Sequence, residues 1–256
     1  NGFSLGTATN FNYYNDKQSV AYCWKGGGTA VTNNEGNITS QVSANKDSGF
    51  SIVKYTGNSL ATMSIGHGLA ELPQIVISKR LDSSVDWGVY TNVSTGNNTT
   101  NWLSINDTGA YGAGNFMNLD NTVLSAVATG AFWIQGSQIA YCWHSVAGFS
   151  SIGTYTGNGS TTGPSVTVGF RPSWVMIKRT SDTGSWYIFD AARAGSTTTF
   201  PNLLYPNLSN AEYNTTGTAY NGMHIATTST TFEVDFSSAW TDLNASGSTY
   251  LYMAIA

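Results

Sequence analysis

Glu233 and Asp235 stand two residues apart in the run Thr231-Phe-Glu-Val-Asp-Phe236. Paired carboxylates are what glycosidases use for acid–base chemistry. Strand alternation turns Phe232, Val234 and Phe236 inward and both carboxylates outward, about 7 Å apart from the rise of an extended chain. That is near glycosidase spacing, but outward charge on an amphipathic strand is the simpler reading, and Thr129-Gly-Ala-Phe-Trp-Ile-Gln135, the counterpart earlier in the chain, has no such pair. His67, His144 and His224 show no metal-ligand spacing. No Ser or Cys sits in a nucleophile elbow, no loop alternates Asp around a central Gly as calcium requires, and Gly26-Gly-Gly28 lacks the Lys-Ser/Thr of a phosphate loop. The residues predict no catalytic, cofactor-binding or metal-binding site and no enzyme.

Trp87 and Trp186 offer flat faces on which a sugar ring could stack, yet their matched mid-strand positions predict core anchors. Lys79-Arg80 and Lys178-Arg179 recur at a strand end and predict solvated or turn-capping charges. Cys23 and Cys142 lie in matched Ala-Tyr-Cys-Trp motifs. Equivalent positions of successive units lie too far apart for a disulfide, so both are expected as buried small apolar side chains.

The elements that must position these residues are strands. Gln74-Ile-Val-Ile-Ser-Lys-Arg80 and Ser173-Trp-Val-Met-Ile-Lys-Arg179 are nearly continuous apolar runs after a proline, the pattern of a central strand covered on both faces. Each leads through a five-residue polar loop into a second strand, Asp86–Tyr90 or Ser185–Phe189, predicting one hairpin per unit. Thr249–Ala254 reads as a closing strand, Ser209–Tyr213 as a short helical turn, Lys25–Gly28 as a hinge, and Ile38–Ser43 as an edge strand. No window carries sustained helical periodicity.

The pattern repeats. Gly49-Phe-Ser-Ile-Val-Lys-Tyr55-Thr-Gly-Asn58 recurs as Gly148-Phe-Ser-Ser-Ile-Gly-Thr-Tyr155-Thr-Gly-Asn158, and Pro73, Lys79, Arg80 and Trp87 recur 99 residues on as Pro172, Lys178, Arg179 and Trp186. Residues 1–9 echo 221–229, and Ala21–Trp24 echoes Ala140–Trp143. A period this long means whole domains in tandem. The expected organisation is residues 1–48 as closing strands of a partial repeat plus linker, then 49–147 and 148–256 as two β-domains, all-β and built as antiparallel sandwiches or jelly rolls.

Charged residues make up 9% of the 256 and aromatics 13%, with a net charge of −4. Solubility then falls to Asn, Ser, Thr and Gly, and the absence of a basic footprint argues against nucleic acid. No apolar run is long enough to span a bilayer. Nine Asn-X-Ser/Thr sequons (Asn37, Asn92, Asn97, Asn98, Asn106, Asn158, Asn207, Asn214 and Asn244) follow from that composition and establish no secretory route.

Gly49-Phe-Ser-Ile-Val, Tyr55-Thr-Gly-Asn58, Gly66-His-Gly-Leu69 and Pro73-Gln-Ile-Val-Ile77 resemble a tandem β-domain found in virion proteins of marine tailed phages. The second unit is closer still, through Tyr155–Ser160, Gly169-Phe-Arg-Pro-Ser-Trp174, Leu204–Glu212 and Asn244–Ala254. The resemblance covers nearly the whole chain. It implies a non-enzymatic virion component, a fibre, spike or capsid decoration located on the particle, and it supplies no catalytic residue. Expected partners are other virion subunits, further copies of this chain (a trimer suiting a fibre) and host-surface glycans. The alternatives are a carbohydrate-binding module of another extracellular protein and, resting only on Glu233 and Asp235, a glycan-active enzyme.

Overall fold

The computed structural model describes residues 4, 18–94, 100–112, 116–127, 132–216, 222–236 and 242–256. The echo between residues 1–9 and 221–229 falls largely outside these, as do Asn97, Asn98 and residues 129–131.

The chain is all-β and antiparallel. A seven-stranded sheet holds β1 (Val31–Asn33), β2 (Ser40–Asn45), β3 (Phe50–Asn58), β5 (Ile75–Arg80), β6 (Gly88–Thr91), β7 (Asn101–Ser104) and β10 (Gln135–Trp143), in the order β1-β2-β3-β10-β5-β6-β7. It packs on a three-stranded sheet of β4 (Ser64–Gly66), β8 (Met117–Leu119) and β9 (Val123–Ala126). The core between them includes Val53, Tyr55, Ile65, Val76, Leu124 and Trp133. In the second sandwich, β11 (Ser150–Thr156), β13 (Trp174–Arg179), β14 (Trp186–Asp190), β16 (Asn202–Leu204), β17 (Tyr213–Asn214) and β20 (Thr249–Ile255) form a six-stranded sheet, ordered β11-β20-β13-β14-β16-β17. Opposite lie β12 (Val166–Thr167), β15 (Thr199–Phe200), β18 (His224–Thr227) and β19 (Thr231–Asp235). Phe232, Val234 and Phe236 point into this core, as their alternation predicts.

The repeat is a repeat of register. Ile75 faces Thr91 across β5–β6, and Trp174 faces Asp190 across β13–β14, both partners shifted by 99. Tyr55 and Tyr155 donate their hydroxyls to Trp133 O (2.8 Å) and Leu243 O (2.7 Å). Beyond them Asn58 Oδ1 accepts from Leu60 N and Asn158 Oδ1 from Ser160 N. The intervening residue is left-handed in both turns, Ser59 at φ 63° and Gly159 at φ 70°. The motif Tyr-Thr-Gly-Asn is thus a strand end tied by a buried hydroxyl to a neighbouring turn, at Trp133 or Leu243, and closed by an Asx turn.

A third apolar cluster explains the runs read as covered on both faces. Phe50, Ile75, Ile77, Val89, Leu103 and Trp143 of the seven-stranded sheet meet Ile152, Trp174, Met176, Trp186, Leu251 and Met253 of the six-stranded sheet. Each large sheet is covered inside by its own small sheet and outside by the other unit. The molecule is a four-layer stack with three, seven, six and four strands.

Several expectations change. Residues 31–45 belong to the first sandwich, with β2 second from the edge and Val42 in the core. Residues 18–24 form no strand and run as an irregular strap that lays Tyr22 and Trp24 against Trp174. Gly27 is no hinge, because a Cβ there would lie 1.9 Å from Ala44 O, so the chain is pressed onto β2. Residues 209–211 are not helical. The one α-helix among the described residues is α1 (Ala191–Ala194), capped by Asp190 and ended by left-handed Gly195.

Candidate functional site

Residues of the two large sheets and of the strap line a cleft of about 560 Å³, within the ~300–1,000 Å³ range of small-molecule sites. The first sandwich supplies Phe50, Ile77, Trp87, Tyr141 and Trp143 to its walls, and the second supplies Trp174, Met176, Ile188 and Met253. The strap adds Tyr22 and Trp24. Trp24 meets Trp143 and Trp174 edge-on at centroid distances of 5.9 and 5.7 Å, and Tyr22 meets Trp174 at 5.9 Å. Such T-shaped pairs set the positive ring edge on a negative face. The strap is pinned by the Tyr22 hydroxyl, which donates to Asp190 Oδ2 at 2.8 Å. Asp190 also accepts from Arg193 Nε at 2.5 Å, and Arg193 reaches Glu212 at 2.7 Å. Burial, then the bond to Asp190, holds the Tyr22 phenol well above its ordinary pKa.

The indole N–H groups divide in two. Trp186 donates to Ser104 O (2.9 Å) and Trp133 to Phe116 O (3.0 Å). Those of Trp102, Trp143 and Trp174 are buried with no partner among the described residues, and the latter two residues line the cleft. A buried donor left unpaired costs about 1–3 kcal/mol.

Trp87 and Trp186 keep one backbone position: Trp87 N donates to Asn106 Oδ1 (2.9 Å) and Trp186 N to Asn207 Oδ1 (3.0 Å). Their rings part company. Trp186 is 1% exposed and bridges the seam, whereas Trp87 is 37% exposed at the cleft. The expectation of two core anchors therefore fails for Trp87, because the large sheets meet without setting equivalent residues in equivalent surroundings.

Lys79 Nζ caps its turn by donating to Val85 O, as expected of a strand-end charge. Lys178 is instead fully buried, donating to Arg179 O (2.6 Å) and Thr108 O (3.3 Å) of the first sandwich, and burial lowers its pKa to about 8. Arg80 pairs with Asp82 (2.6 Å) and Arg179 with Asp182 (3.3 Å), closing matched turns. Both cysteines are free; Cys142 is buried, its thiol pushed up to about 12, but Cys23 is exposed because its segment is strap and not strand.

Glu233 and Asp235 share the outward face of β19. Burial, with the Asp235 charge second, raises the Glu233 pKa. His224, across the pair from Asp235, brings Nε2 to 3.9 Å. His67 is buried and satisfied, Nδ1 accepting from Leu69 N and Nε2 meeting Asp120 O at 3.0 Å. His144 Nδ1 meets Ser145 O. Among the described residues, no three His, Cys, Asp or Glu side chains gather as a metal site, and no helix is long and apolar enough to cross a membrane.

The family model described as a domain of unknown function, DUF7483, matches residues 1–256. The chain belongs to this family. The DUF7483 match runs through the strap and both sandwiches, so the seam and its cleft lie inside a single family unit. Neither the curated proteins nor the solved structures yield a match. The sequence pointed to Trp87 by type and misplaced it in a core. It gave no signal that Tyr22, Trp24, Trp143 and Trp174 converge, beyond the recurrence of Ala-Tyr-Cys-Trp, whose two copies do meet here through Trp24 and Trp143.

Proposed function

We propose that this chain is a non-enzymatic structural and adhesion protein of a phage particle, a fibre, spike or capsid decoration that assembles with other virion subunits and further copies of itself and engages host-surface glycans. The aromatic cleft between the back-to-back sandwiches carries the adhesion part, since it offers a largely apolar recess walled from both units. The resemblance to tailed-phage virion domains, the tandem build and the low charge support the particle part. A carbohydrate-binding module of another extracellular protein would use the same cleft, and the exposed Trp87 favours it as the second reading.

Antibody labelling of intact phage particles, together with binding and hydrolysis assays on a glycan panel, tests this reading. The expected result is label on particles and glycan retained uncleaved. Hydrolysis abolished by Glu233→Gln would overturn it.

A further inference from the structure

We infer that the strap is a latch on the cleft: residues 22–24 lift from Asp190 and Trp174 as one piece, while the two sandwiches stay joined at the other end of the seam. Such a latch controls access to the cleft whatever its occupant.

The strap has no ladder to hold it. Among the described residues, no backbone–backbone hydrogen bond involves residues 18–28. Residues 18–21, Cys23 and Lys25 are exposed, and Tyr22 and Trp24 are half-buried, so two rings carry its packing across the seam. The end that leads into the first sandwich is fixed. Asn45 Nδ2 donates to Lys25 O (3.2 Å), Ser43 Oγ donates to Gly28 O (2.8 Å), and Gly27 is pressed onto Ala44. A segment anchored at one end and held at the other by few buried contacts opens locally before the rest of a fold.

The keeper of the latch is complete without it. Asp190 Oδ1 accepts from Arg193 N (2.8 Å) and Oδ2 from Arg193 Nε (2.5 Å). When the Tyr22 hydroxyl leaves, its carboxylate partner keeps both of these bonds and the phenol passes to water. Opening therefore exposes ring surface but strands no buried charge, which is the costly outcome.

The opposite joint does not use the strap. Trp174 and Lys178 share the outer face of β13, about 13 Å apart by strand rise. The strap meets Trp174. At the Lys178 end, Tyr111 N donates to Thr180 O (3.0 Å), Gly184 N to Thr108 O (2.9 Å) and Trp186 Nε1 to Ser104 O (2.9 Å). These bonds cross from one sandwich to the other and persist with the strap lifted.

Fluorine NMR of the full chain labelled with 5-fluorotryptophan tests this, its signals assigned by single Trp→Phe variants. Relaxation dispersion should appear at Trp24, Trp143 and Trp174 and not at Trp133 or Trp186. Tyr22→Phe keeps the ring and removes the bond to Asp190, so it should raise the open population by about fivefold or more. In Tyr22→Ala/Trp24→Ala, the Trp143 and Trp174 signals should gain the heavy-water shift of exposed rings while Trp133 and Trp186 stay unmoved. Absence of exchange at Trp24, Trp143 and Trp174 in both the wild type and Tyr22→Phe would make the strap a static part of the wall and overturn the inference. Exchange that Trp133 and Trp186 share, or a double variant that unfolds, would also overturn it, because the strap would then open only with the sandwiches.

Discussion

Lys79 and Lys178 hold one position of the repeat and end in opposite surroundings, one capping an exposed turn and the other sealed where the two sandwiches meet. The sequence marks both as strand-end cations, and nothing local distinguishes them; what buries Lys178 is Thr108, seventy residues away. Desolvation is the main cause of its lowered pKa, with Asp107 and Asp182 pulling it up and Arg179 pushing it further down. The sign follows from linkage. The folded state releases this proton near pH 8 and the unfolded state near 10.5, so stability rises with pH between those values and carries the full penalty below them. The rise is on the order of 3 kcal/mol. The raised Cys142 thiol acts in the opposite sense above about pH 9, and the raised phenols of Tyr55, Tyr90 and Tyr155 above about pH 10. Urea denaturation should show the wild-type chain gaining stability from pH 8 to 9, below the range where the raised Cys142 thiol acts in the opposite sense, with Lys178→Met nearly flat across that window and at least as stable at pH 7. A variant that keeps the wild-type slope would place the titrating group elsewhere.

Strands, their hairpins and the register between them were legible, because apolar runs, polar loops and the 99-residue offset are local signals. The role of residues 31–45 was not: β1 and β2 fill the edge beside β3, and no such pair precedes β11. The second sandwich therefore starts its large sheet on β11, and an open edge invites foreign pairing. The turn between the units, with Gln74 just before β5, blunts it. Ser145 Oγ accepts from Ile152 N (2.9 Å), Gln74 Nε2 reaches Ile152 O (3.4 Å), and Val146 O accepts from Ser150 N (2.8 Å). These side chains stand where the ladder to β2 stands in the first unit. Ser145→Ala should cost about 1 kcal/mol and speed amide exchange at Ile152 more than at residues of β20. Unchanged protection at Ile152 would show that the serine does not guard the edge.

Taken whole, the molecule is two sandwiches that each need the other. The outer face of the six-stranded sheet carries Trp174, Met176, Trp186, Ile188, Leu251 and Met253, all buried against the first unit or the cleft. Each such side chain contributes about 1.5–3 kcal/mol when fully withdrawn from water, and a sheet face this apolar is not left open on a soluble monomer. Tandem repeats in sequence suggest beads on a string, yet the apolar runs of β5 and β13 already state that both faces are covered. What they leave out is that the cover is the sister unit, since the contact joins residues a hundred positions apart. Residues 148–256 expressed alone should fold on their inner core of Phe189, Phe232, Val234 and Tyr250 and then bury the outer face against a second copy. Light scattering after gel filtration should report a dimer or larger species at micromolar concentration, while Met176→Lys/Met253→Lys in the same fragment should shift it toward monomer. A wild-type fragment that runs as a stable monomer would mean that the seam is dispensable and the units are independent.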